Sequence, residues 1–193
     1  MKKRFAVAVA VIAILGLGAF YLPTKGFVSI DRCLNSNGAW DYRESRCQAV
    51  PVGSIDYVLI DKSDRWLAAY RGGKLIREFR VALGRGGLAP KQQQGDGRVP
   101  EGTYLITFHN AASGYHRSLK IGYPTAEQLA AAQQAGIDPG GDIMIHGLPN
   151  GLSRIGSRHL LRDWTEGCIA VTNQEIEWLF NAVPDGTPVN IRA

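Results

Sequence analysis

Two side chains late in the chain have the types and setting for acyl transfer. Cys168 ends the run Thr165-Glu166-Gly167-Cys168 and opens an apolar stretch at 169–171. His146 closes an apolar stretch at 143–145 and is followed by Gly147. A thiol is a weak nucleophile until a base takes its proton, and an imidazole with a pKa near ~6.5 suits that role at neutral pH. Gly167 lets the backbone turn sharply. It brings bare N–H groups, its own and that of Cys168, close to a reacting carbonyl oxygen, as an oxyanion hole requires. The pattern therefore predicts Cys168 as nucleophile, His146 as its base and an oxyanion site at Gly167-Cys168. His159 is the competing base, but no glycine follows it and it closes no apolar run.

The elements that must position these groups are short. The runs at 143–145 and 169–171 read as buried strands, each delivering one reactive group to a strand edge. From residue 54 onward the chain is strand-rich. Segments 55–60, 66–70 and 75–83 surround the tight turn Arg71-Gly72-Gly73-Lys74, and further strands follow at 104–108, 119–123 and 189–191. Thr125 with Gln128, and Thr172 with Glu175, have capping-box spacing and open two helices. The glycine-rich stretch 84–97 reads as a mobile loop. No Gly-Lys-Ser/Thr follows it and no helix opens there, which excludes a nucleotide cradle. The span 148–164, between base and nucleophile, reads as loop with a helical turn at 158–161.

The N-terminus sets the compartment. Lys2, Lys3 and Arg4 precede an uncharged run at 5–22, which as a helix would be ~27 Å long. It predicts either an uncleaved membrane anchor or a cleaved signal peptide, and both export the rest of the chain. The formal charge of +5 owes three units to those residues, leaving 19 basic against 17 acidic side chains. That is no footprint for nucleic acid. Cys33 and Cys47 flank a segment with a turn signal at Asn37-Gly38 and alternating Trp40 and Tyr42. In an exported protein they are expected to form a disulfide across a small hairpin, which leaves Cys168 as the free thiol.

These residues resemble the L,D-transpeptidases, the YkuD-fold cysteine enzymes of peptidoglycan, whose pattern is His-Gly, a spacer, then Ser/Thr-x-Gly-Cys. The run from Arg162 to Asn173, RDWTEGCIAVTN, is similar to the branch that includes a periplasmic protein freeing a lipoprotein from the wall. Ala170 stands where the family often has Arg, and the spacer is long. The resemblance implies a mostly β fold with minor helices, a β-sandwich-like catalytic domain over 53–193. It would follow a leader at 1–22 and the disulfide-closed segment at 23–52.

The resemblance also implies stem peptides of peptidoglycan as substrate. Expected substrate contacts are Gly147, Arg162, Asp163, Thr165 and Lys120, with Asp163 alternatively bracing the cysteine loop. Implied partners are those stems, a wall-linked lipoprotein, and the inner membrane if the leader stays. The expected activity is transpeptidation through a Cys168 thioester. The alternatives are hydrolysis at the same site or a non-catalytic wall-binding module. Papain-like proteases are excluded, because their cysteine precedes the histidine and opens a helix. No cofactor is implied and no metal, since His146 and Cys168 have no further ligands at zinc-site spacing.

Overall fold

The structure, a computed structural model, describes residues 29, 30, 32, 33, 36, 38–41 and 45–193. The leader expected at 1–22 lies outside them. The chain divides into two compact units, Met1–Val50 and Pro51–Ala193. Among the described residues no helix is long and apolar enough to cross a membrane.

In the first unit, strand β1 (Gly38–Asp41) pairs antiparallel with β2 (Arg46–Ala49), Trp40 lying opposite Cys47. Cys33 and Cys47 form a disulfide. Of the turn signal at Asn37-Gly38, Asn37 lies outside the described residues and Gly38 belongs to β1. That glycine answers to packing. A Cβ there would come within 2.5 Å of the Cys47 Sγ and 2.8 Å of the Cys33 Sγ.

The second unit is built on β3 (Tyr57–Asp61), β4 (Trp66–Arg71), β5 (Lys74–Arg80), β6 (Gly102–Asn110), β7 (Ser118–Ile121), β8 (Met144–His146), β9 (Ile169–Ala170) and β10 (Pro188–Arg192). They form one sheet in the order β5-β4-β3-β10-β6-β7-β8-β9. The last strand enters its middle, parallel to β3 and antiparallel to β6. Alternation sets the faces. Val58, Ile60, Leu67, Ile106, Leu119, Ile145, Ile169, Val189 and Ile191 are all buried.

Two helices, α1 (Ala126–Gln134) and α2 (Asn173–Ala182), each open with the expected capping box. They differ in what they bury. α1 has no buried residue, whereas α2 buries Ile176, Trp178 and Leu179. Each such side chain contributes roughly 1.5–3 kcal/mol of transfer free energy, so α2 is the helix that packs on the core.

The sheet curls until its ends meet. Just after β5, Ala82 and Ala170 of β9 exchange two backbone hydrogen bonds, of 3.0 and 2.8 Å. Gly84 bridges Thr165 in parallel. The chain following the first edge strand is thus held against the segment that carries the cysteine.

Candidate active site

His146, the expected base, ends β8, and Cys168, the expected nucleophile, immediately precedes the adjacent strand β9. β8 and β9 are parallel, with Ile145 opposite Ile169 and His146 opposite Ala170. Continuing that register places Cys168 level with Met144. Because side chains alternate, Cys168 shares a sheet face with Ala170 and hence with His146. Diagonal neighbours of this kind lie within reach of long side chains.

His146 is only 3 % exposed. Its Nδ1–H donates to the Gly147 carbonyl at 2.7 Å, which leaves Nε2 as the lone-pair nitrogen. The Tyr115 ring lies 4.4 Å away between centroids, and Trp164 meets the imidazole edge-on at 5.7 Å. Burial pushes the His146 pKa down to about 4, against the pull of the Gly147 carbonyl and with a small push from His159. Gly147 is required by space. A Cβ would stand 2.8 Å from the Asn173 Oδ1 and 2.9 Å from the Tyr115 carbonyl.

Cys168 is the free cysteine among the described residues. Its thiol points at the Asp142 carbonyl, 3.5 Å away. Burial raises its pKa, the Met144 N–H lowers it, the Asp142 carboxylate raises it and Lys91 lowers it, in that order of weight. Both groups are therefore neutral at rest.

The turn before the cysteine is held by Thr165. Its hydroxyl donates to the Cys168 carbonyl at 2.7 Å and accepts the Gly167 N–H at 3.3 Å. Gly167 has φ +120°. Among the described residues nothing accepts the Cys168 N–H, so of the two amides expected to face an oxyanion this one is free and that of Gly167 is engaged.

The other expected contacts are distributed differently. Lys120 sits one step from the thiol, pairing at 2.7 Å with the carboxylate of Asp142, whose carbonyl faces Cys168. Asp163 is engaged within the fold. Its carboxylate takes both the Nε and Nη2 of Arg65, at 3.1 and 2.9 Å, and the Leu83 N–H at 2.9 Å. Arg162 is exposed.

The stretch expected to be a mobile loop carries a hydrogen-bond network of its own. Asp96 accepts from the backbone of Gln92, Gln93 and Arg98 and from the Lys91 ammonium. Gly86 and Gln94 donate to the Gly97 and Asp138 carbonyls. Gly84 packs on Gly167, where a Cβ would lie 2.9 Å from the Gly167 Cα. Four contributors were not singled out from sequence: Tyr115, Asn173, Arg65 and Asp96. Only Asn173 carried a signal, as the last residue of the cysteine motif. Tyr115 and Arg65 act through partners far away in the chain, His146 and Asp163, whereas Asp96 binds residues only two to five positions away.

A curled, mostly β sheet offers a free thiol at one strand end and a backbone-oriented imidazole on its neighbour. This is the arrangement expected of a cysteine–histidine acyl-transfer site. The chain belongs to the YkuD family, the L,D-transpeptidase catalytic domain, whose model matches residues 55–191. Over 138 residues it is 31 % identical to the candidate L,D-transpeptidase YafK of Escherichia coli strain K12, covering 68 % of this chain and 48 % of that protein. It is 29 % identical over 142 residues to the candidate L,D-transpeptidase YqjB of Bacillus subtilis strain 168, covering 73 % of each. The chain thus spans about half the length of the first of these relatives. Among solved structures, the helical cell shape determining protein Pgp2 of Campylobacter jejuni superposes with a TM-score of 0.53 at 24 % identity, over 84 % of this chain and 54 % of that one.

Proposed function

We propose that this protein is an exported peptidoglycan-modifying enzyme that acts on stem peptides through a thioester on Cys168. The observation that carries the reading is the His146–Gly147 hydrogen bond. It commits Nδ1–H to a backbone carbonyl and leaves Nε2 as acceptor on the sheet face that Cys168 shares. A buried imidazole held near pKa 4 and a thiol raised by burial describe a neutral pair, so the proton moves as the nucleophile attacks.

In that step the thiol proton passes to Nε2 while sulfur bonds to the peptide carbonyl carbon. The carbonyl oxygen becomes an anion facing the Cys168 N–H, a charge-stabilising donor. Collapse expels the leaving amine, which takes the proton from the imidazolium and leaves a thioester. An incoming amine then gives a cross-link, and water gives hydrolysis. Lys120 stands beside Asp142 at the same strand end and is suited to the charge of an approaching stem.

The test is mass spectrometry of the protein incubated with a purified diaminopimelate-containing tetrapeptide stem, with and without an amine acceptor. The expected results are a covalent adduct on Cys168 and a new peptide product. Both should be lost in Cys168→Ala, while that variant keeps the native circular dichroism spectrum. Persistent turnover in Cys168→Ala overturns the reading.

A further inference from the structure

A cavity of about 510 Å³ opens beside the site, between the start and end of the 3-10 segment Ser153–Leu161. Leu148, Leu152, Ile155 and Trp164 give it apolar walls. Trp164 also touches the His146 ring, so the cavity adjoins the reacting centre. Three features of its lining are unexplained by the fold. His159 lines it at 6 % exposure, and neither ring nitrogen has a hydrogen-bond partner. The Trp164 Nε1–H is also unpartnered. Arg158 and Arg162 line it too, both exposed. Among the described residues no carboxylate pairs with either one.

Buried polar groups in folded proteins are almost always satisfied, and an orphan calls for a partner that the fold itself does not supply. We propose that this cavity is a binding subsite for a carboxylate-bearing arm of a peptide. Arg158 and Arg162 hold the carboxylate and the His159 imidazole hydrogen-bonds it, while the aliphatic stem of the arm lies along Trp164, Leu152 and Ile155. Guanidinium groups match a carboxylate in charge and in planar shape. The apolar walls suit the methylene groups between that carboxylate and the peptide backbone. A turn of the His159 ring about χ2, a broad torsion, brings a nitrogen round to the cavity. An anionic lipid surface would also meet the arginines, but a flat headgroup layer would not reach an imidazole buried this deeply. The proposal deepens the reading of the site given above and rests on it for the peptide nature of the ligand.

The test uses the Cys168→Ala protein, which binds without turnover. Its probes are a diaminopimelate-containing tetrapeptide and the same peptide with the side-arm carboxylate amidated. Calorimetry should give at least about tenfold tighter binding of the acid than of the amide. The pair Arg158→Gln and Arg162→Gln should erase that difference, and the His159 ring nitrogens should shift in NMR spectra only with the acid. With Cys168 intact, the arginine pair should raise KM about tenfold and leave kcat within about twofold. Equal affinity for acid and amide overturns the proposal. So does a preference that survives in the arginine variant, or arginine-dependent binding to phosphatidylglycerol vesicles without peptide discrimination. Turnover with an unchanged KM sinks this subsite and spares the thioester reading. Discrimination in binding with no adduct on Cys168 does the reverse.

Discussion

Asp163 and Arg65 stand 98 positions apart and meet in a two-pronged ion pair, Nε and Nη2 of the guanidinium lying 3.1 and 2.9 Å from one carboxylate oxygen. The other oxygen takes the Leu83 N–H at 2.9 Å. One carboxylate thus ties the β3–β4 turn and the chain after β5 to the segment that leads into Thr165 and Cys168. Asp163→Asn should destabilise the domain by about 1.5–3 kcal/mol, the usual range for hydrogen bonds to a charged group. It should also slow iodoacetamide alkylation of Cys168. Urea titration and the alkylation rate read the two effects, and unchanged values for both would remove Asp163 from the scaffold.

The depressed His146 pKa ties stability to pH. Its folded value of about 4 lies below the unfolded value near 6.5, so between those values the unfolded chain binds more protons. The contribution, about 3 kcal/mol, is fully present above pH 6.5 and is lost as pH falls toward 4. His146→Gln should flatten the stability profile across that window, measured by denaturant unfolding at half-unit pH steps. Activity should keep its base unprotonated down to about pH 4, so an acid limb of kcat near pH 6.5 would contradict the buried setting.

Thr165 is expected to act through the cysteine turn. Thr165→Val strips the partner from the Gly167 N–H and from the Cys168 carbonyl. It should lower the rate of Cys168 acylation about tenfold, and Thr165→Ser should restore most of it. A Val variant as fast as the parent would show that the hydroxyl does not position the thiol.

Gly167→Ala joins two costs, a φ of +120° that side chains avoid and a Cβ 2.7 Å from the Arg98 carbonyl. Strain of this kind runs to about 1–3 kcal/mol. A lowered thermal midpoint together with loss of the Cys168 adduct is expected. A variant with parental midpoint and adduct yield would mean that the turn relaxes freely.

Asp96 holds the 84–97 loop by accepting three backbone N–H groups and the Lys91 ammonium. Burial would raise its pKa, but those four donors win and hold it well below the usual carboxylate range. Its contribution is therefore present above about pH 4 and fades below it, a window distinct from that of His146. Asp96→Asn should speed amide hydrogen exchange at Gln92 and Gln93 while leaving β3 and β10 protected. Unchanged exchange there would refute the role.

Much of this protein is written locally. Apolar runs with period two gave away most of the strands, and the Thr-x-x-Gln and Thr-x-x-Glu spacings gave both helix starts. These signals depend on nearest neighbours and on caps that act within one turn. The pairing of His-Gly with Thr-x-Gly-Cys singled out the candidate base and nucleophile for a similar reason, since each needs only its adjacent glycine to be recognised.

Tertiary structure decided what no local pattern encodes. The entry of β10 between β3 and β6, the closure of Ala82 on Ala170, the reach of Asp163 to Arg65, and the packing of Gly84 on Gly167 are all contacts between distant segments. Such contacts are set by how the whole sheet curls around one core. The same curl buries His146 and moves its pKa, a consequence of desolvation that depends on every strand around it and so cannot be read from the residues beside it.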